Sequence, residues 1–263
     1  MRLLRHALQA EWTKLRSVRS TTWSAIAVVG VTVGVSAFLA AVGSTNANEV
    51  GARGDDDVVL NGLRGVWLGQ VAMVVLGAGG MTSEFATGTI RVTLTALPRR
   101  LVAFGAKAAV VATVALAVAS VASVLSFLMA QPLLHEGGFV PPAYPIVSLA
   151  DAPAIRAVGS TGVYLTLLAL FAMGVAAVVR QTAAAVTWSA GLVLVPTVVM
   201  EFFTGTPREL LQQVAPAAGL AIQITSERYD TPPLGPWGGL CVTTAWTLAA
   251  LLAAAWTIRH RDV

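Results

Sequence analysis

The sequence predicts an all-α, polytopic membrane protein, and its composition and the placement of its charges carry this prediction. Of the 263 residues, 56% are hydrophobic and only 11% are charged, whereas a soluble domain is about 25% charged because water must wet its surface. Apolar runs of about 20 residues separate the charged clusters, and a helix of that length crosses a hydrocarbon core of about 30 Å. We therefore expect one transmembrane domain, residues 1–263, with little chain left for a soluble domain.

Six apolar stretches predict six transmembrane helices. They are Thr21–Gly43, Leu63–Thr82, Gly105–Ala130, Val158–Val179, Ala183–Met200 and Trp237–Ile258. The first stretch is too long for the apolar region of a signal peptide, and no clear cleavage site follows it, so we expect it to remain as a span. Tryptophans such as Trp23 and Trp237 lie near the span ends, where an indole prefers the headgroup interface.

The lysine and arginine residues predict that both termini lie in the cytoplasm. With that orientation 12 of the 17 basic residues fall on the cytoplasmic side, whereas 10 of the 13 acidic residues fall outside. An excess of basic residues in cytoplasmic loops is the usual determinant of orientation. The net charge of +4 is therefore a topology signal, and we expect no nucleic-acid partner.

Three segments outside the spans have patterns of their own. Residues 1–20 place apolar residues at three- and four-residue spacing among basic ones, which is typical of an amphipathic helix in the inner interface; a simple basic flank is the alternative. The outer loop 201–236 contains an apolar patch, Val214–Ile224. Because this patch is too short to span, we expect a re-entrant or interfacial segment before the last helix. Asp55 to Asp57 are expected to be solvated loop acids.

The sequence lacks the usual constellations of an enzyme. It has no GxxxxGK[ST] loop, no HExxH spacing and a single cysteine, Cys241, so we expect no ATP site, no metal and no cofactor in this chain. The predicted spans carry no ionisable residue near their centres, where a secondary transporter coupled to protons commonly keeps one. The energy for any transport is therefore expected to come from another polypeptide.

The main inner connection, residues 83–104, mixes apolar residues with a glutamate and several basic residues, and Pro98 ends any helix there. We expect a short helix that exposes Phe85, Ile90 and Leu94. Apolar anchors at such spacing suit a groove in a partner protein. An amphipathic loop that rests on lipid headgroups is the alternative.

These residues also carry a resemblance to a known family. The segment Glu11-Trp-Thr-Lys-Leu-Arg-Ser precedes the first span, and Glu84-Phe-Ala-Thr-Gly-Thr-Ile-Arg, with Ala96-Leu-Pro-Arg-Arg, follows the second. They resemble the type-2 ATP-binding-cassette (ABC) exporter permeases, most closely the short bacterial, actinobacterial-style members. The layout of interfacial helix, six spans, inner coupling segment and partly buried outer segment before the sixth span is similar throughout the chain.

The resemblance implies a permease subunit in the bacterial cell membrane that dimerises, with itself or a second permease, and sits on cytoplasmic ATPase subunits. In family terms the segment Glu84–Arg91 is the coupling helix, seated in a groove of the ATPase. Phe85 and Ile90 would be its apolar anchors. The other residues implied in coupling are Glu84 and Arg91 as ion-pairing or capping groups, Gly88 at a turn or close approach, Thr89 beside it, and Glu11 and Lys14 as bridges from the first helix to the ATPase or to the coupling segment.

Gly30 and Gly34 form a GxxxG pair in the first span, and such a pair permits close approach between helices. The expected function is export of a hydrophobic or amphipathic drug, lipid or peptide, and the chain itself is not expected to be an enzyme. A secondary transporter that works alone and a membrane regulatory or immunity protein that transports nothing are the alternatives.

Overall fold

The computed structural model describes residues 2–17, 19–47, 57–89, 100–141, 144–226 and 234–260. Within these ranges almost every residue is helical and none is in a strand. The elements in chain order are α1 (Arg2–Ser17), α2 (Arg19–Ala47), α3 (Val58–Gly62), α4 (Val66–Thr87), α5 (Arg100–Glu136), α6 (Ala152–Val179), α7 (Thr182–Val199), a 3₁₀ turn (Met200–Phe202), α8 (Thr206–Val214), the 3₁₀ helix η1 (Pro216–Gln223) and α9 (Pro236–His260).

Six of these helices, α2, α4, α5, α6, α7 and α9, are long and apolar enough to cross a membrane. Each contains at least 18 residues and a strongly apolar window, so each reaches most of the way across a hydrocarbon core of about 30 Å. Every predicted apolar stretch corresponds to one of them. The prediction of an all-α, polytopic membrane protein is confirmed.

The helices extend beyond the predicted spans. Helix α4 continues past Thr82 to Thr87, α5 begins at Arg100 and not at Gly105, and α6 begins before the predicted Val158. Hydropathy marks where a helix leaves the apolar layer, but backbone hydrogen bonding continues into the polar region. The connection predicted for residues 83–104 is therefore helical at both of its ends.

Helix α6 lies at the centre of the bundle and contacts α4, α5, α9 and η1. Its side chains Tyr164, Leu168 and Phe171 are buried. Helix α4 approaches α6 so closely that a Cβ atom on Gly77 would collide with the backbone of Ala169. Since lipid is as apolar as leucine, association of membrane helices depends on such close packing and not on hydrophobic burial.

Polar contacts between helix ends show which ends share a side of the bundle. Arg100, at the start of α5, donates to the carbonyl oxygen of Ile258 near the end of α9 (3.3 Å), and Glu11 of α1 lies against Lys107 of α5. We call this the amino-terminal side. On the opposite side, Asp57 binds Thr225 after η1. Both ends of the described chain therefore lie on one side, as six crossings require.

The connection before α9 contains two short elements of different character. Helix α8 has no buried residue, whereas η1 buries Pro216, Gly219 and Gln223 among others. Thr243 of α9 holds η1, since its hydroxyl lies 2.7 Å from the carbonyl oxygen of Pro216 and accepts a hydrogen bond from the amide of Gly219 at 3.2 Å. The apolar patch is therefore a short 3₁₀ helix that packs against α9 and α6, and its re-entrant or interfacial position in a membrane stays a prediction.

Asp57 differs from its prediction as a solvated loop acid. It is only 2% exposed and caps α3 by accepting hydrogen bonds from the amides of Val59 and Leu60 (3.0 and 3.1 Å). The prediction is wrong for Asp57, because an aspartate directly before an apolar helical run is an N-cap. Asp55 and Asp56 lie outside the described residues.

Among the described residues, none packs closely against the GxxxG pair of α2. A Cβ atom added to Gly30 or to Gly34 would meet nothing within 4 Å. Helix α2 instead buries Val28, Thr32 and Ser36 against its neighbours. Close approach of another helix to the two glycines stays a prediction.

Candidate functional site

The amphipathic helix α1 lies against α5 and the beginning of α2. The side that faces the bundle carries Ala7 and Glu11, which are 2% and 3% exposed, whereas Trp12 is 47% exposed. A buried carboxylate is costly unless it is paired, so the burial of Glu11 implies a cationic partner within the bundle.

Two partners are present, and with a second glutamate they form what we call the four-charge cluster: Glu11, Lys14, Glu84 and Lys107. Glu11 Oε1 lies 2.8 Å from Nζ of Lys14, and Glu11 Oε2 lies 2.8 Å from Nζ of Lys107. Glu84 Oε1 lies 3.1 Å from Nζ of Lys14 and 3.0 Å from Nζ of Lys107. Each carboxylate therefore contacts both ammonium groups, and the formal charges of the cluster sum to zero.

Burial makes these contacts strong. The side chains of Glu11, Lys107 and Glu84 are 4%, 7% and 9% exposed, whereas that of Lys14 is 39% exposed. Charges removed from water lose hydration that only close pairing restores, so deleting one member of a buried pair costs about 3–5 kcal/mol. Lys107 also lies 3.4 Å from the carbonyl oxygen of Gly80, which fixes its ammonium against α4.

The two members of the cluster on α1 are charged over a wide pH range. Burial raises the pKa of Glu11, but the positive charges of Lys107 and Lys14 outweigh burial and hold this pKa below its ordinary value. Burial lowers the pKa of Lys14, but hydrogen bonds to Glu11 and Glu84 outweigh burial and hold this pKa above its ordinary value. Opposite charges nearby favour the charged form of each group.

The cluster joins three elements that are distant in sequence. Glu11 and Lys14 share one face of α1 because they are three residues apart on a helix. Glu84 lies in the last turn of α4, and Lys107 lies two turns into α5. The cluster therefore fixes α1 to the two helix ends that flank the connection 88–99.

The residues predicted to couple the chain to a partner have different environments. Glu84 belongs to the four-charge cluster, and Lys14 contacts Glu84. Of the two bridges expected from α1, to the ATPase or to the coupling segment, the one to the coupling segment is therefore present. Phe85 is half-buried against the core on the amino-terminal side, with the guanidinium carbon of Arg180 5.6 Å from its ring centre. Its ring is therefore less available to a partner than the sequence predicts, because α4 continues past it as a helix.

Gly88 ends α4. Its φ of +68° is in the left-handed region, and its amide donates to the carbonyl oxygen of Phe85 at 3.4 Å. A Cβ atom at this position would meet nothing within 4 Å, so of the two roles predicted for Gly88 the turn is present and a close approach to described residues is not. Glycine adopts this conformation without the strain that other residues incur.

The described part of the coupling segment that reaches the surface is residues 86–89, which are exposed. The hydroxyls of Thr87 and Thr89 lie 2.9 Å apart. Ile90 and Arg91 lie outside the described residues. The exposed patch therefore begins two residues after Glu84, which contacts both lysines of the cluster.

The sequence did not assign Lys107 to the site. A lysine two turns inside an otherwise apolar span is costly and implies a partner, so the signal was present, but the sequence offered several acids and no way to choose among them. Among the described residues, no group of three His, Cys, Asp or Glu side chains is placed to hold a metal ion.

Comparison of the sequence with protein-family models finds no match, and no curated protein matches it closely.

Proposed function

We propose that this chain is the membrane-spanning permease subunit of a type-2 ABC exporter. It moves a hydrophobic or amphipathic substrate, such as a drug, lipid or peptide, with ATP that a separate cytoplasmic ATPase subunit hydrolyses. Two permease chains, identical or different, form the membrane part of the complex. The observation that carries the proposal is the four-charge cluster, which fastens α1 and α5 to the end of α4 beside the exposed residues 86–89.

This arrangement suits a segment that transmits force. A displacement of residues 86–89 by a partner moves Glu84 in the last turn of α4. Because Glu84 contacts both Lys14 and Lys107, α1 and α5 follow that displacement as one body. Moving only one of the three elements would separate buried opposite charges, which costs several kcal/mol, so the three elements move together.

The orientation in the bacterial cell membrane follows from the basic residues. By the predicted topology the amino-terminal side carries 12 of the 17 lysine and arginine residues: those of residues 1–19, of the connection 88–99 and of residues 259–261, together with Arg100, Lys107 and Arg180. Basic residues are retained on the cytoplasmic side. We therefore place both termini and residues 86–89 in the cytoplasm, where an ATPase is accessible.

A secondary transporter that works alone remains the second candidate, and the positions of the charges favour it less. A proton-coupled carrier keeps ionisable residues near mid-membrane. Within the described residues of the six long helices, the acidic and basic side chains lie near helix ends, as with Glu84, Lys107 and Arg156. The cluster therefore suits an interface with a partner better than a proton path through the bundle.

The proposal is tested by one substitution made on each side of the bundle. Thr89→Arg places a long cationic side chain on the exposed segment, and Thr204→Arg makes the same change at an exposed position on the opposite side. The tagged full-length chain is purified from its native membranes, and co-purified Walker-A ATPase is quantified by mass spectrometry. We expect an ATPase with the wild-type chain and with Thr204→Arg, and a loss of about tenfold or more with Thr89→Arg, because a charge of this size disrupts a packed interface.

Two results would contradict the proposal. One is the absence of any ATPase from the wild-type preparation under conditions in which the bundle remains folded. The other is equal recovery of the ATPase with Thr89→Arg and with Thr204→Arg, which would separate ATPase binding from the exposed end of α4.

A further inference from the structure

Outside the four-charge cluster, a cavity of about 460 Å³ lies on the opposite side of the bundle. It lies between the beginning of α4, the end of α7, α8 and η1, and most of its lining is apolar, including Trp67, Met200 and several alanines of η1. A cavity of a few hundred Å³ with apolar walls and few polar groups is the usual form of a small-molecule site. We call it the opposite-side cavity.

Arg64 is the one charged residue among the described residues that line this cavity. Its side chain is exposed, and none of the described residues that line the cavity carries a carboxylate to neutralise it. The nearest acid in sequence, Asp57, is occupied by the amides of α3 and of the segment after η1. An arginine guanidinium presents a planar fork of donors that matches phosphate geometry. As far as the described residues show, the cavity therefore combines apolar walls with one cationic side chain that can bind an anion.

The residues around the cavity are of the kind found at the headgroup level of a membrane. Arg64 lies two residues before α4, and Trp67, one turn further on, is 40% exposed, as is usual for tryptophan at the boundary between headgroups and hydrocarbon. At the end of α7, Val195 and Val198 are 57% and 52% exposed. An acyl chain that leaves the cavity therefore finds an apolar helix surface beside it.

We propose that the opposite-side cavity binds the anionic headgroup of an amphiphile, with a phosphate on Arg64 and the adjoining apolar part against Trp67 and η1. The occupant is a membrane phospholipid of the leaflet on that side. Gln212, which also lines the cavity, supplies a neutral donor beside the phosphate. Placement of the site in the outer leaflet rests on the proposed function, whereas binding itself requires neither the ATPase nor transport.

The test uses the purified full-length chain in neutral detergent, without any partner. Short-chain phosphatidylglycerol, short-chain phosphatidylcholine and glycerol phosphate are titrated separately by calorimetry. Both lipids carry a phosphate, but phosphatidylcholine also carries a quaternary ammonium that the positive charge of Arg64 repels, so we expect phosphatidylglycerol to bind about tenfold more tightly than phosphatidylcholine. Glycerol phosphate, which lacks the acyl chains, is expected to bind more weakly than either lipid.

The variants separate the charge from the cavity. Arg64→Gln should abolish the preference for phosphatidylglycerol, Arg64→Lys should retain most of it, and Arg259→Gln, an exposed change on the amino-terminal side, should leave it intact. Ala221→Phe, which fills the cavity and keeps Arg64, should weaken the binding of both lipids. Each variant that folds tests the proposal by itself, so the failure of one variant to fold does not leave the proposal untested.

Several outcomes would overturn the proposal. Equal affinities of the wild-type chain for the two lipids, or an unchanged preference in Arg64→Gln, would remove the role of Arg64. Binding of glycerol phosphate as tight as that of phosphatidylglycerol would show a free-anion site. Lipid affinity that falls as the protein concentration rises would show that a second copy of the chain occupies the cavity. None of these results bears on whether an ATPase binds residues 86–89.

Discussion

The two sides of the bundle both bury charged side chains, but they pair them with different groups. On the amino-terminal side, two glutamates contact two lysines at 2.8–3.1 Å, and all four side chains belong to helices. On the opposite side, Asp57 accepts hydrogen bonds from the amide of Ser226 (2.9 Å) and from the amide and hydroxyl of Thr225. There the charge stabilises irregular backbone and not another side chain.

Arg156 completes the arrangement on the opposite side. Its guanidinium donates to the carbonyl oxygens of Ile222 and Ile224 at 3.4 and 2.8 Å. One end of η1 is therefore held through its carbonyl groups by a cation, and the residues that follow are held through their amides by Asp57. Buried backbone groups of a non-helical segment must find partners, and these two side chains supply them.

The difference indicates a division of roles. Side-chain pairs between rigid helices keep three elements together while the group as a whole remains free to move. Hydrogen bonds from charged side chains to backbone instead fix the conformation of a single segment. We therefore expect the amino-terminal side to transmit displacement and the opposite side to keep the shape of the segment that lines the cavity.

The largest expected effect is on the amino-terminal side. Lys107→Met leaves Glu11 and Glu84 with Lys14 alone, and we expect the free energy of unfolding to fall by about 3–5 kcal/mol because a buried charge loses its partner. Unfolding of the purified chain in bicelles measures this loss. Adding Glu84→Gln to Lys107→Met removes a charge of the opposite sign and should restore part of the lost free energy of unfolding. A loss below about 1 kcal/mol in the single variant would show that the cluster does not hold the helices together.

A smaller effect is expected on the opposite side. Asp57→Asn keeps one acceptor oxygen but loses the charge and the second oxygen, so we expect a loss of about 1.5–3 kcal/mol. Amide hydrogen exchange should quicken at Thr225 and Ser226 and stay unchanged in α1. Asp151→Asn is the matched control, since Asp151 is an exposed N-cap residue, and it should change stability by about 0.5 kcal/mol or less. Equal effects of the two variants would show that the hydrogen bonds of Asp57 to Thr225 and Ser226 do not stabilise the segment after η1.

The smallest expected effect is the pH dependence that α1 contributes. Folding lowers the pKa of Glu11, so its contribution to stability is present above the ordinary value of 4.5 and is lost as the pH falls through the folded value. Folding raises the pKa of Lys14, so its contribution is present below 10.5 and is lost as the pH rises through the folded value. Glu11→Gln should therefore lose less stability than the wild-type chain between about pH 6 and about pH 3.

Lys14→Met is the comparison for that experiment. Because Lys14 is 39% exposed, water screens its charge, and its removal should cost less than about 1 kcal/mol at neutral pH. Identical acid profiles for the wild-type chain and Glu11→Gln would show that Glu11 is not paired in the folded protein.

The fold was largely predictable from the sequence, because a span depends on the hydropathy of about 20 consecutive residues. The bounds were less predictable: Thr87 and Arg100 are polar residues that continue helices beyond the apolar layer. The burial of η1 was also predicted, since an apolar patch of that length neither spans nor remains in water. These features depend on residues that are close in sequence.

The site was predicted only in part. Glu84 and Lys14 were singled out by resemblance to a family, and the structure places them together although they are 70 residues apart. Lys107 was missed because its partners lie in distant segments. Asp57 was missed although its N-cap partners are local, and its other partner, Thr225, is 168 residues away. Phe85 was predicted to be exposed because the continuation of α4 could not be read from the pattern. Pairing across the fold is a tertiary property that one sequence does not specify.

The central claim is that the bundle receives work from a partner through the exposed end of α4 and has no energy source of its own. Reconstitution into sealed vesicles tests it most directly, with a fluorescent amphipathic dye as the probe. We expect no uphill accumulation by the purified chain alone, whether or not a proton gradient is present, and accumulation when the co-purified ATPase and ATP are added. Uphill transport by the chain without a second polypeptide would contradict the claim.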